Sequence, residues 1–134
     1  MNFSIYIKTD SIESQIKKSI EEFAKRLSRY CKINYTLVKD EIVAQKLLRK
    51  NTYCIAISTD GDTISSEAFA KQLDTYGIQG IPDISFFIHC LPANTPADNL
   101  TLSHMDFSPS VQAMILYEQI YRSFRILRGE PYHK

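Results

Sequence analysis

Two short, almost continuous apolar runs lie near the middle of this chain, at residues 54–57 (CIAI) and 84–88 (ISFFI). Neither run alternates apolar with polar residues, as a strand with one face in water does. Continuous apolar strands are typical of parallel sheets that helices cover on both faces. The runs therefore predict an α/β protein with a mainly parallel sheet.

The flanking sequence alternates between strand and helix periodicities, which supports the same fold class. Apolar residues at every second position predict strands around residues 3–7 and 33–37. Helical spacing predicts helices at residues 12–30, 41–49 and 65–76, the last capped by Ser65 or Ser66. Three local signals mark boundaries: a capping box at Asp10 and Glu13, a turn at residues 60–62 (DGD), and helix breakers at Gly77, Gly80 and Pro82.

The C-terminal third holds the longest predicted helix. Leu100 and Leu102 are expected to end a strand, a polar turn covers residues 103–109, and Pro109 occupies the first helical turn, where its missing N–H costs nothing. The apolar surface that follows is wider than one core-facing stripe. It comprises Val111, Met114, Ile115, Tyr117, Ile120, Tyr121, Phe124 and Leu127. We expect this helix to be buried against two partners, one of them a second subunit.

Length and composition indicate one globular domain over residues 1–134, with 44% hydrophobic and 23% charged residues. No apolar run approaches the roughly 20 residues of a membrane span. The chain starts directly with a predicted strand, so no signal peptide is expected. Its three cysteines include no CxxC pair, which is typical of a reduced, cytoplasmic protein.

The net charge of +1 conceals a strong segregation of charge. Residues 1–50 carry eleven Lys and Arg against six Asp and Glu, whereas residues 51–121 carry one against eight. Residues 122–134 are basic again, with four against one. Phosphate binding requires cations, so the two ends of the chain are the candidate RNA-facing parts. Taken alone, the N-terminal charges are more typical of solvated helix faces than of an RNA-binding surface.

The sequence YEQIYRSFRILRGEPYHK at residues 117–134 is similar to the C-terminal signature of the RlmH family, in the SPOUT superfamily of methyltransferases. The resembling residues are Glu118, Gln119, Tyr121, Arg122, Ile126, Arg128, Gly129, Pro131, Tyr132 and His133. The resemblance covers essentially the whole chain. It implies a SPOUT α/β sandwich with a C-terminal trefoil knot, and a homodimer with cofactor pockets at the subunit interface. It also implies transfer of a methyl group from S-adenosylmethionine to a pseudouridine of large-subunit ribosomal RNA, with no DNA or membrane partner.

Three segments build the cofactor pocket in this family, and the resemblance carries them onto this chain. The first is the end of the third strand, at Ile57, where the family has leucine. The second follows the fourth strand, where the family's Gly-Gly-x-x-Gly turn is replaced at residues 88–92 (IHCLP), placing His89 at the pocket. The third is the loop before the last helix. Its candidate cofactor-binding residues are Leu102, Ser103, His104, Met105, Asp106 and Phe107.

The changes within these segments have physical consequences. Glycines at a ligand turn permit positive φ and close backbone approach, which His89 and Cys90 do not favour. We therefore expect this loop to be rebuilt. Asp106, where the family has threonine, is expected to repel a carboxylate unless it meets the amino or sulfonium group of the cofactor. His89, Cys90 and His104 fit no standard zinc spacing, so no metal is predicted.

The resemblance assigns catalytic positions to Arg122, Tyr132 and His133, in a tail that closes over the partner's active site. The family's His and Arg shortly after the loop are missing here, where the chain reads SPSVQA at residues 108–113. Two functions stay open on this basis. The first is an RlmH-type methyltransferase that binds RNA at these three residues. The second is an inactive paralogue that serves as a dimeric binding module for RNA, a ribosome surface or a small molecule. The changed cofactor turn favours the second, and the overall resemblance favours the first.

Overall fold

A computed structural model describes residues 1–132 of the chain. This part forms five strands and four helices that alternate for most of its length. They are β1 (Asn2–Lys8), α1 (Ser14–Leu27), β2 (Lys32–Val38), α2 (Glu41–Leu47), β3 (Tyr53–Thr63), α3 (Ser66–Ile78), β4 (Asp83–Ile88), β5 (Asp98–Thr101) and α4 (Pro109–Leu127). The single predicted domain over residues 1–134 stays a prediction.

The strands form one sheet in the order β2-β1-β4-β3-β5, and every neighbouring pair is parallel. The two apolar runs lie in β3 and β4, side by side within the sheet. Burial on both faces explains why neither alternates. The predicted α/β fold with a mainly parallel sheet is confirmed, and the sheet is entirely parallel in the described residues.

Helices cover the two faces unequally. On one face α1, α3 and α4 pack over a core that includes Phe3, Ile5, Phe86, Leu116 and Ile120, each at most 1% exposed. On the other face α2 and the loop after β4 cover a smaller cluster around Tyr6 and Phe87. Each fully buried Leu, Ile or Phe contributes about 1.5–3 kcal/mol, so the three-helix face supplies most of the stability.

Two predicted helix starts are confirmed. The Ser65 hydroxyl accepts a hydrogen bond from the Ala68 amide at 3.0 Å and caps α3, and α4 begins at Pro109. The predicted capping box at Asp10 and Glu13 is wrong. Glu13 is itself the N-cap of α1 and caps it with no side-chain bond. Its carboxylate accepts a hydrogen bond from the Ser110 hydroxyl at 3.1 Å, because the start of α4 packs beside the start of α1.

Two other local predictions also differ from the structure. Residues 60–62 do not form a separate turn, because β3 extends to Thr63 and shifts its register against β5 between Ser58 and Thr63. Gly77 does not break α3, which continues to Ile78; Gly80, with φ of 77°, follows the helix end. Pairing of β3 with β5 outweighed the turn signal at residues 60–62, and α3 tolerates Gly77 one residue before its end.

The wide apolar helix α4 is buried on one side and half-exposed on another. A stripe at helical spacing remains partly open to solvent within residues 1–132: Val111, Met114, Ile115, Glu118, Gln119 and Arg122. The knot and the dimer stay predictions. No helix in the described part of the chain is both long and apolar enough to cross a membrane.

Candidate active site

The carboxyl ends of β4 and β5 lie level with Ile57 of β3, which was predicted to end that strand but lies within it because β3 continues to Thr63. Ile57 of β3 is in register with Ile88 of β4 on one side and with Leu100 of β5 on the other. The chain leaves β4 at His89 and leaves β5 into the loop at residues 102–107. The three segments that the family resemblance assigned to one pocket are therefore adjacent, at the edge where open α/β sheets bind ligands.

An open depression of about 610 Å³ lies at this edge. It is lined by Lys8, His89, Asp106, Phe107, Ser108 and Pro109. Its volume falls within the range of small-molecule sites. On the other side of the loop is a smaller depression of about 150 Å³, whose lining includes Leu102 and Ile115. Of the predicted cofactor residues, His89, Asp106 and Phe107 line the larger hollow and Leu102 lines the smaller one, whereas Ile57, Ser103, His104 and Met105 line neither.

Hydrogen bonds to its own residues and to its neighbours fix the shape of the loop at residues 102–107. The Ser103 hydroxyl accepts from the Met105 amide at 3.0 Å, and His104 Nε2 lies 2.8 Å from the Gly61 carbonyl oxygen. The Gln112 amide, only 4% exposed, donates to the Phe107 carbonyl at 2.8 Å. The Met105 and Asp106 side chains remain exposed. A held backbone with exposed side chains suits a ligand-binding loop.

Gly61 connects this loop to the sheet. Its amide donates to Thr101 Oγ1 at 3.1 Å, and the same Thr101 atom lies 2.9 Å from Ser58 Oγ. A Cβ atom at position 61 would approach Thr101 Oγ1 to 2.8 Å, closer than real Cβ contacts allow. Glycine is therefore required here by close approach to β5, which was not predicted from the sequence.

His89 adopts the left-handed conformation that a glycine would favour, with φ of 62°. We expected the turn to be rebuilt because the family's glycines are missing. Residue 89 nevertheless has a positive φ. A non-glycine residue in this region costs about 1–2 kcal/mol. The backbone of a glycine turn and a histidine side chain coexist at the rim of the larger depression.

We expect His89→Gly to stabilise the protein by about 0.5–1 kcal/mol, since relief of left-handed strain outweighs the extra entropy of glycine in the unfolded chain. His89 is exposed, so little packing is lost. The measurement is the free energy of unfolding in urea. Ala93→Gly is the matched control, because Ala93 is exposed in the same loop without positive φ and should be neutral or destabilised. Equal shifts in both variants would contradict the strain argument.

Cys90 is a buried packing residue with no nucleophilic environment. Its side chain is 0% exposed, and its thiol donates to the Tyr6 carbonyl at 3.4 Å on the opposite face of the sheet. Burial raises the pKa of this thiol to about 11. His104 does not join Cys90, because its Nε2 atom is paired with the Gly61 carbonyl oxygen. Among residues 1–132, no group of three His, Cys, Asp or Glu is placed to hold a metal ion.

Arg122 and Tyr132, two of the three predicted catalytic residues, meet around Glu118. The Glu118 carboxylate accepts hydrogen bonds from Arg122 Nε at 3.1 Å and from the Tyr132 hydroxyl at 2.9 Å. The guanidinium lies 4.8 Å from the centre of the Tyr132 ring. Partial burial, and then the bond to Glu118, raise the pKa of Tyr132, which keeps its proton. His133 lies outside the described residues.

This cluster is distant from the start of α4, where the larger depression lies. Arg122 lies thirteen residues beyond Pro109 along α4, or about 20 Å at the rise of an α-helix. Neither Arg122 nor Tyr132 lines either of the two hollows beside the loop. One subunit therefore presents two half-sites, one at each end of α4.

Three residues of these half-sites were not predicted as functional. Glu118 orients the Arg122 and Tyr132 side chains, Gln112 holds the loop, and Gly61 links the loop to β5. The i,i+4 spacing of Glu118 and Arg122 was a usable signal. Nothing in the sequence pairs Gln112 or Gly61 with their partners, since those contacts arise from the tertiary fold.

Comparison with known proteins places these features in a family. The family model described as "Predicted SPOUT methyltransferase" matches residues 1–133. Proteins named ribosomal RNA large subunit methyltransferase H are 34% identical in Clostridioides difficile (strain 630) and 35% in Clostridium kluyveri (strain NBRC 12016), each covering 100% of both chains. A protein with the same name and the suffix 1, from Thermoanaerobacter sp. (strain X514), is 33% identical over 100% of both chains.

The first two alignments extend over 159 positions, against 134 residues in this chain. These alignments therefore include positions at which this chain has no residue. Since the family model covers almost the full length and the relatives align end to end, the chain belongs to the SPOUT methyltransferase family, in its RlmH branch.

Proposed function

We propose that this protein transfers a methyl group from S-adenosylmethionine to a pseudouridine in RNA of the large ribosomal subunit. The observation that carries the proposal is that the turn after β4 and the loop at residues 102–107 meet beside one depression, while Ile57 of β3 is in register with the neighbouring ends of β4 and β5. These are the three segments that build the cofactor pocket in the family. The names of the full-length relatives supply the substrate class.

The residues at the depression fit the cofactor chemically. Phe107 and Pro109 offer apolar surface, Lys8 offers a cation for a carboxylate, and Asp106 offers an anion for an amino or sulfonium group. When bound, S-adenosylmethionine supplies a methyl group activated by the positive sulfonium. The role of this chain at that end is to bind and orient, through the fixed backbone of residues 102–107.

Arg122, Tyr132 and His133 are proposed to hold the target nucleotide. The Arg122 guanidinium would offset charge that develops on the base, while Glu118 fixes its direction. Because about 20 Å of α4 separates Arg122 from Pro109 at the larger depression of its own subunit, the three residues are proposed to serve the partner's cofactor pocket in a homodimer. The half-exposed stripe of α4 is the proposed contact surface, and the proposed compartment is the cytoplasm.

An inactive binding dimer was the alternative, and the comparisons do not favour it. Its main support was the loss of glycine after β4. The left-handed backbone of His89 weakens that support, because the conformation that glycine would provide persists.

The test is methyl transfer from radiolabelled S-adenosylmethionine to purified ribosomes and to isolated large-subunit RNA. We expect incorporation into the RNA of at least one of these substrates, and no incorporation with Asp106→Lys, which reverses the charge at the depression. Failure of the folded wild-type protein to label either substrate would overturn the proposal.

A further inference from the structure

Five arginines lie together on a surface that the proposed reaction does not use in full. Arg26 and Arg29 come from the end of α1, and Arg122, Arg125 and Arg128 from the end of α4. We call these five residues the arginine patch. The two helix ends pack against each other through aromatic rings, including a stacked pair formed by Tyr30 and Phe124 at 5.2 Å.

Several arginines of the patch stack on aromatic rings where the two helix ends meet. Arg29 and Arg128 lie 5.0 and 4.8 Å from the centre of the Tyr30 ring, and Arg26 lies 5.8 Å from that of Tyr121. A guanidinium held against a ring keeps its N–H groups at the edge for hydrogen bonding and loses little further freedom on binding. Stacking therefore prepares these cations for a ligand that accepts hydrogen bonds.

Glu130 connects several residues at the arginine patch. It accepts a hydrogen bond from the Tyr30 hydroxyl at 2.7 Å and lies 3.4 Å from Arg125 and 3.6 Å from Arg29. The bond from Tyr30, with the neighbouring arginines, lowers the pKa of the Glu130 carboxyl. Arg125 also donates to the Pro131 carbonyl at 2.7 Å and is mostly covered. Arg125 is thus a structural member of the patch.

Three other arginines of the patch, Arg26, Arg29 and Arg128, are accessible to solvent. The Arg26 and Arg29 side chains are 46% and 63% exposed, and Arg128 is exposed after the end of α4. Three exposed carboxylates lie at the cofactor edge, at Asp60, Asp62 and Asp106, beside the exposed cation Lys8. No Lys or Arg occurs between Lys71 and Arg122. A polyanion would be repelled by that edge and attracted to the patch.

We propose that Arg26, Arg29 and Arg128 bind backbone phosphates of the RNA substrate. The inference rests on the proposed function for the identity of the RNA. Tyr132 and the patch member Arg122 lie beside Arg26, because Tyr132 packs edge-on against Tyr121 at 4.9 Å and Arg26 stacks on the same ring. The patch therefore anchors the strand next to the residues that hold the target base. Guanidinium groups suit this role because their paired donors match phosphate oxygens.

The experiment compares the triple variant Arg26→Gln, Arg29→Gln, Arg128→Gln with the control Lys17→Gln, Lys18→Gln, Lys71→Gln. The control also removes three exposed cations, two of them from α1. Binding of a labelled transcript of large-subunit RNA is followed by fluorescence anisotropy over a salt series. We expect the patch variant to bind at least about tenfold more weakly near 0.1 M salt, with a salt slope lower by about 2. The control should stay within about twofold of the wild type.

Titration with S-adenosylmethionine separates this inference from the proposed function. Patch-dependent RNA binding by a protein that neither binds the cofactor nor methylates supports the inference and overturns the function. Methylation with an unchanged KM in the patch variant overturns the inference alone, as does a wild type that does not bind the transcript. Loss of ribosome binding without loss of transcript binding also overturns it, since a protein surface would then be the partner. Should the triple variant not fold, Arg128→Glu provides the same comparison at one exposed residue.

Discussion

Replacing Arg122 with alanine is expected to lower kcat/KM for RNA methylation by about 10²–10³-fold, the usual effect of removing one preorganised donor at a reacting group. Affinity for S-adenosylmethionine should not change, because Arg122 lies about 20 Å along α4 from Pro109, which lines the larger depression of the same subunit. The measurements are steady-state methylation kinetics and calorimetric titration of the cofactor.

Two controls show whether lost activity comes from the missing donors of Arg122 or from loss of folding. Arg122→Lys keeps the charge but not the paired donors that contact Glu118, so it should recover only part of the activity. Arg122→Ala leaves Glu118 with one fewer cation, so the free energy of unfolding is measured in parallel. A variant with unchanged kcat/KM, or with activity and cofactor affinity lost together, would contradict the assignment.

Mixing two inactive variants tests whether the half-sites combine across a dimer. Arg122→Ala alters only the half-site at Arg122, so its cofactor loop is intact. Asp106→Lys alters only the cofactor loop, so its Arg122 and Tyr132 are intact. In a random mixture half of the dimers are mixed, and each has one complete site, so about a quarter of the wild-type activity should return. Activity no greater than that of the separate variants would place both half-sites in one subunit.

Gly61→Ala is expected to destabilise the protein by about 1–3 kcal/mol, since the new methyl group must displace Thr101 Oγ1 from a 2.8 Å approach. Movement of Thr101 would also loosen the bond from Gly61 to the loop at His104. We therefore expect at least about tenfold weaker binding of S-adenosylmethionine, corresponding to about 1.4 kcal/mol.

Gly77→Ala is the matched control for this substitution. Position 77 lies inside α3, and a methyl group added there would meet no atom within 4 Å, so alanine should stabilise the helix by about 0.5–1 kcal/mol. Urea unfolding and calorimetry report both quantities. If the two alanine variants behave alike, the close approach of β3 to β5 is not what requires glycine at position 61.

Sequence pattern predicted the architecture because it depends on burial. The apolar runs of β3 and β4 indicated a parallel sheet, and Ser65 and Pro109 marked helix starts at their correct positions. The failures were at residues whose partners are distant in sequence. Glu13 bonds to Ser110 across 97 positions, and Gly61 bonds to Thr101 across 40. Local signals cannot include such contacts, so the predicted capping box and turn were wrong.

In the candidate site, too, features of continuous sequence could be predicted, whereas contacts made by the tertiary fold could not. The resemblance located the loop at residues 102–107 and the Arg122 end of α4, since both are continuous stretches of sequence. It did not reveal Gln112, which is buried because the start of α4 turns it toward the Phe107 carbonyl. It also could not reveal that His89 would keep a left-handed backbone, since that conformation depends on the path of the whole turn.

Calorimetric titration of the purified protein with S-adenosylmethionine, with S-adenosylhomocysteine as a second ligand, tests the central claim most directly. A cofactor edge built from the β3 end, His89 and residues 102–107 predicts micromolar binding with one site per subunit or per dimer. Asp106→Lys should abolish that heat signal. No binding by the folded wild-type protein would contradict the account and leave a SPOUT fold that no longer acts as a methyltransferase by itself.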